Sequence, residues 1–203
     1  MNNKADREEQ LTLELLGAVE KRNDLSQRHL ARHMGVALGL ANSYLKRCIR
    51  KGWVKVGEAP ARRYLYYLTP KGLTEKTRLT AKYLSNSFAF YRKAGESCER
   101  LFRECIANDW RRVLLCGVSD LAEIAALRAL DQGIEVLGTY DPQAARSRFV
   151  SKPVWGELAD AAAPDVWLVT DLARPQAMYD RLATQLGASE RIMVPDILGL
   201  PGR

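Results

Sequence analysis

The sequence predicts a chain in two parts: a basic, mainly α-helical module closed by a β-hairpin, then a small α/β unit on a parallel sheet, joined by a long helix. Three observations predict it. Charge divides unevenly, with 21 Lys and Arg against 12 Asp and Glu in residues 1–110 and 10 against 12 in 111–203. Three short helical patterns run into two strand patterns before residue 71. After residue 111, apolar runs rich in branched residues alternate with helical segments, the pattern of a parallel sheet with crossover helices.

The 203 residues are 47% hydrophobic and 27% charged, a globular composition that excludes a disordered or fibrous chain. No apolar run reaches the roughly 18 residues of a membrane helix. The opening MNNKADREEQ lacks the apolar core of a signal peptide, so a cytoplasmic protein without membrane association is expected. Four cysteines, Cys48, Cys98, Cys105 and Cys116, form no CxxC pair and read as reduced thiols.

The first helix spans about Arg7 to Lys21, with Leu11, Leu15, Leu16 and Val19 as its apolar stripe. Ser26 is a good N-cap for a short second helix, and Gly35 ends it. A third helix runs from about Ala37 to Lys51. Its spacing puts Leu38, Ala41, Leu45, Cys48 and Ile49 in the core and Gly39, Ser43, Lys46, Arg47 and Arg50 outside, with Asn42 on the flank. Small and polar residues first and basic ones later suit a helix that meets base edges and then phosphates; a solvated basic face is the plain alternative. Trp53–Val56 and Arg63–Leu68 read as strands around a turn with Pro60, and Arg62 and Arg63 sit near the tip. Helix, turn, basic helix and hairpin make a winged helix-turn-helix. Residues 21–63 alone hold 11 basic side chains against Asp24 and Glu58, the electrostatic footprint of a polyanion binder. The candidate DNA contacts are Arg28, Gly39, Asn42, Ser43, Lys46, Arg47, Arg50, Lys55, Arg62 and Arg63. His29 and His33 stand four apart, but no third ligand with suitable spacing accompanies them, so no metal is expected.

The stretch LSQRHLARHMGVALGLANSYLKRCIRKGWVKV, followed by RYLYYLTPKGLTEK, resembles MarR-like winged-helix regulators associated with exopolysaccharide and capsule loci. The resemblance covers about residues 8–90 and implies transcriptional regulation by binding double-stranded DNA. It departs from the family at Ala37, where members carry a polar residue, and at Ala41, where they carry a larger one.

From Gly72 to about Asn108 no proline interrupts the chain. Positions 77, 81, 84, 88, 91, 95, 98, 102 and 105 form a mostly apolar seam in steps of three and four. A homodimer through this 72–108 helix is expected, with a break at Gly95 and packing on its own domain as the alternative. The domains are then 1–71 for DNA binding, 72–110 for the linker and dimerisation helix, and 111–203 for a Rossmann-like effector-binding unit.

In that last part RVLLCGV, IEVLGTYD, DVWLVTD and RIMVPD read as four parallel strands, FVSKPVWG as loop, and residues 157–162 and 175–186 as helices. Ligands of such sheets lie at the carboxyl ends of the strands, which selects Gly117, Ser119, Asp120, Asp141 and Asp171. Gly117-Val-Ser119-Asp-Leu-Ala122 takes the place of a G-x-G-x-x-A loop with serine at the middle glycine, which disfavours close approach of a pyrophosphate. Asp141, 24 positions after Gly117, stands where a ribose-binding acid belongs or simply ends a strand before Pro142. VLLCGVSDLAEIA, VLGTYDP, KPVWGEL and MVPDIL resemble N-terminal Rossmann-like segments of sugar-nucleotide-modifying proteins of polysaccharide synthesis. That resemblance covers about residues 111–199 and implies a nucleotide or nucleotide-sugar effector. Both histidines lie in the basic part, and no Tyr-x-x-x-Lys, HExxH or phosphate-loop motif is present, so no catalytic residue is assigned and no enzyme is expected. A regulator with a ligand-sensing or partner-binding domain is the expected function. The alternatives are an NADH-responsive redox-sensing repressor, or a sugar-nucleotide enzyme fused to a DNA-binding head.

Overall fold

Apolar spacing of three and four along α1 (Asn3–Lys21) buries Leu11, Leu15, Leu16 and Val19 against two shorter helices, α2 (Gln27–His33) and α3 (Leu38–Arg50). The computed structural model describes residues 3–59, 63–187 and 191–200; the side chains of residues 3, 4, 58, 59 and 63 lie outside that description. The Ser26 hydroxyl caps α2 by accepting from the His29 amide at 3.2 Å, and Gly35 turns the chain at φ +60. Ala41, Tyr44, Leu45 and Cys48 form the buried side of α3. Leu38 does not belong to it: it is 45% exposed in the first turn, and Tyr44 supplies the core contact instead.

Strands β1 (Val54–Ala59) and β2 (Arg63–Leu68) pair antiparallel, Val54 opposite Leu68 and Ala59 opposite Arg63. Thr69 then starts α4 (Pro70–Ala107): its hydroxyl donates to the Gly52 carbonyl at 2.7 Å and accepts from the Gly72 amide at 2.9 Å. Proline at the first helical position suits that start. Gly72 has no alternative there, because a Cβ would collide with the Trp53 carbonyl oxygen.

The chain divides into two compact units, 1–87 and 88–203, with α4 contributing to both. In the first, Lys76 pairs with Glu20 at 2.5 Å, Arg78 with Glu75 at 2.8 Å, and Lys82 with Glu9. In the second, Ala94, Cys98, Phe102 and Cys105 enter the core against α5 (Asp120–Asp131) and the sheet. The expected seam is therefore two things. Gly95, Cys98, Phe102 and Cys105 are buried within the chain, whereas Leu84, Phe88 and Tyr91 are exposed. Gly95 does not break the helix; it makes room for Arg128 of α5, whose Nε would lie 2.8 Å from a Cβ there.

The second unit holds β3 (Arg112–Cys116), β4 (Glu135–Tyr140), β5 (Arg148–Phe149), β6 (Lys152–Trp155), β7 (Val166–Val169), α6 (Pro175–Leu186) and β8 (Ile192–Met193). Sheet order is β5-β6-β4-β3-β7-β8, parallel except for the antiparallel β5. The sequence expected four strands, all parallel. The difference is FVSKPVWG, read as loop, which forms a hairpin whose second strand adds beside β4. The helix expected at 157–162 is a single 3-10 turn, Leu158–Asp160. β3 is covered on both faces: Val113 and Leu115 point into one core layer, Leu114 and Cys116 into the other. Among the described residues no helix is long and apolar enough to cross a membrane.

Candidate functional site

The outer side of α3 presents Gly39, Ser43, Lys46 and Arg50 to solvent, with Asn42 half-buried beside them. Arg28 at the start of α2 and Lys55 on β1 are exposed as well. Among the described residues, none of Arg28, Lys46, Arg50 and Lys55 has a carboxylate within ion-pair distance. On α4, Lys76, Arg78 and Lys82 each hold an acidic partner, whereas Arg7 and Lys21 of α1 and Lys71 of α4 have none among the described residues. Arg47, placed on the outer face by its spacing, is half-buried on the α1 side, where it donates to Glu8 at 3.1 Å. Arg62 lies outside the described residues, and Arg63 is described only as the backbone of β2 opposite Ala59.

An open groove of about 550 Å³ runs beside this face, lined by Ser26, Arg28, His29, Leu38 and Tyr64 among others. Tyr64 is 58% exposed. His29 is tied to its own cap, Nδ1 lying 3.0 Å from the Ser26 hydroxyl. Among the described residues no three His, Cys, Asp or Glu side chains converge as a metal site. Sequence spacing missed Leu38 and Tyr64 as parts of this surface; the strand alternation of β2, which buries Tyr66, does point Tyr64 to the same side as Tyr66 and leaves depth undecided.

The second set of expected residues meets at the carboxyl ends of β3, β4 and β7. Asp141 accepts from the Val118 amide at 2.9 Å and from the Gln143 amide at 2.9 Å. The Ser119 hydroxyl donates to the Thr170 carbonyl at 2.5 Å and accepts from the Ala122 amide at 3.2 Å, capping α5. Asp171 accepts from the Ala173 and Arg174 amides at 2.8 and 2.9 Å. Asp120 is exposed in the first turn of α5, where a carboxylate favours the positive helix end. Gly117, at φ +112, packs directly on the β7 loop: a Cβ there would lie 2.6 Å from the Asp171 Cα and amide nitrogen.

These contacts decide whether a dinucleotide fits. A pyrophosphate in such a fold takes backbone N–H groups of the first glycine-rich turn and the following helix start. Here the Val118 and Ala122 donors are filled by Asp141 and Ser119, and the glycine brings two loops of the chain together rather than a ligand close. The Gly117 turn therefore lacks the close backbone approach that a pyrophosphate normally takes there. What stays open is a neighbouring cleft of about 530 Å³ between the loops after β4 and β7, lined by Asp141, Gln143, Arg146, Asp171 and Arg174.

All four thiols are buried, and burial pushes Cys48 and Cys105 up to about 11, Cys98 up to about 12, and Cys116 higher still. Thiols held in the protonated form are poor redox sensors.

Residues 8–55 match a family described as winged helix-turn-helix DNA-binding, so the N-terminal part of the chain is a winged helix-turn-helix DNA-binding domain. No curated protein matches the chain. Among solved structures, one titled "PigF with SAH" is similar at 15% identity and a TM-score of 0.26, over 95% of this chain and 56% of that one. The chain thus spans little more than half the length of that structure.

Proposed function

We propose that this chain is a cytoplasmic, sequence-specific transcriptional regulator that binds duplex DNA through α3 and the β1–β2 wing, as a homodimer through α4. The observation that carries the reading is the match of residues 8–55 to a winged helix-turn-helix family together with the exposed cations on and beside α3. Arg28, Lys46, Arg50 and Lys55 stand exposed without acidic partners among the described residues, and Lys46 and Arg50 lie on the outer side of α3 itself. Unpaired basic side chains beside a reading helix supply the phosphate contacts that fix its register, and small residues at its start leave room for base edges. Leu84 at 46% and Phe88 at 60% exposure give α4 apolar contacts to offer a second copy. The likeness of residues 8–90 to regulators of exopolysaccharide and capsule loci supports polysaccharide-related target genes. The α/β unit serves as the ligand-sensing or partner-binding part, and its cleft offers Arg146 and Arg174 beside Asp141 and Asp171 to a nucleotide or nucleotide-sugar effector.

Fluorescence anisotropy against DNA from the upstream region of the chain's own gene and a scrambled duplex, over a salt series, tests this. Specific binding is expected to exceed nonspecific binding about a thousandfold or more. Lys46→Ala and Arg50→Ala should each reduce the log–log salt slope by roughly one, whereas Arg47→Ala leaves it nearly unchanged. Equal, weak binding to both duplexes overturns sequence specificity, and no binding at low salt overturns the DNA reading.

A further inference from the structure

A DNA-reading helix is usually polar where it meets the bases, and α3 carries an exposed apolar residue ahead of its polar ones. Leu38 stands in its first turn, exposed, on the edge of the groove shared with Arg28 and Tyr64. A solitary exposed leucine is ordinary on any surface. This one differs in its neighbours. Gly39 follows it in the helix, where glycine costs stability relative to alanine. Nothing lies within 4 Å of where its Cβ would be, so no crowding within the chain requires the glycine. Asn42, one turn beyond Leu38, has a buried Oδ1 with no hydrogen-bond partner among the described residues, an acceptor left without the bond that burial normally demands. Its terminal torsion is broad and roughly two-fold, so a half turn of the amide exchanges Oδ1 with Nδ2 and re-aims the acceptor. Beside them Arg28, Lys46 and Arg50, without ion-pair partners among the described residues, supply positive charge complementary to a nucleic-acid backbone.

We propose that α3 lies close against the major groove at Gly39, with Leu38 packed on the 5-methyl group of a thymine and Asn42 hydrogen-bonded to an adenine in the adjacent base-pair step. Only thymine presents a methyl group in that groove, and only adenine offers the N7 acceptor and N6 donor that match an Asn side chain. The proposal rests on the DNA-binding reading and specifies which bases it reads.

The full chain is used to select sites from a randomised duplex library. Each enriched thymine is then replaced by uracil, which removes the methyl alone, and each neighbouring adenine by 7-deazaadenine. One thymine per half-site should lose affinity by roughly fourfold on becoming uracil, and that loss should vanish in Leu38→Ala. Sensitivity to 7-deazaadenine at the adjacent position should vanish in Asn42→Ala. Gly39→Ala should weaken DNA binding while raising the unfolding midpoint, which separates close approach from a structural role. If no sequence is enriched, the DNA reading itself falls. If a sequence is enriched but no thymine responds, or the response persists in Leu38→Ala, this assignment falls and the DNA reading stands.

Discussion

Gly117 is the residue on which the end of the α/β sheet depends. Its φ of +112 is open to glycine and strained for other residues, and the Asp171 backbone occupies the space of its missing Cβ. Backbone cannot swing aside as a side-chain tip can. Gly117→Ala is therefore expected to cost about 2–4 kcal/mol in urea unfolding, without touching the DNA-binding face. Asp165 works at the other end of the same sheet. It accepts from the Arg112 and Arg111 amides at 2.8 Å each, and those bonds hold its carboxyl below the ordinary carboxylate range. A carboxyl lowered on folding adds stability that is complete above its unfolded value and is lost as pH falls through the folded one. Asp165→Asn should thus lower stability at pH 7 and flatten the decline towards pH 3, as read by denaturant unfolding at both.

The β5–β6 hairpin shows why part of the fold was hidden in the sequence. Its two turn residues, Val150 and Ser151, both have positive φ, +48 and +61, where Asn-Gly is the usual pair. A β-branched residue there is a real outlier, so the usual turn signal was missing and 149–156 read as loop. Replacing the pair by Asn-Gly should raise stability by about 1–2 kcal/mol, measured as a shift in the urea midpoint without change in slope. In α3 the difficulty was depth, not period. Spacing sorts Leu38 with Ala41 and Leu45, but the first turn projects past the core, so Leu38 emerges and Tyr44 fills inward. The α4 seam keeps one period throughout, and periodicity alone cannot tell the half packed under α5 from the exposed half. The capped start of α2 was legible: Ser26 begins the helix where the sequence places it.

Charge, thiols and the exposed apolar contacts together define how the protein should behave in solution. The net charge of +7 arises in the DNA-binding part, so association with polyanions should weaken steeply with salt while the α/β unit stays indifferent. Burial of all four cysteines predicts that a thiol reagent reacts slowly with the native protein and counts four groups only after denaturation. Peroxide treatment should leave DNA affinity unchanged, in contrast to a thiol-based sensor. For the exposed stretch of α4, Leu84→Glu with Phe88→Glu should shift sedimentation from dimer to monomer, leave circular dichroism intact, and reduce operator affinity by at least a hundredfold. An unchanged sedimentation coefficient would overturn the proposed dimer through α4. The direct contacts at Gly117 carry one further consequence. The Val118 and Ala122 amides, bound by Asp141 and Ser119, sit at a loop whose donors would otherwise face water. Deuterium should enter them slowly, because the chain itself supplies the carboxylate and the hydroxyl that hold this loop shut.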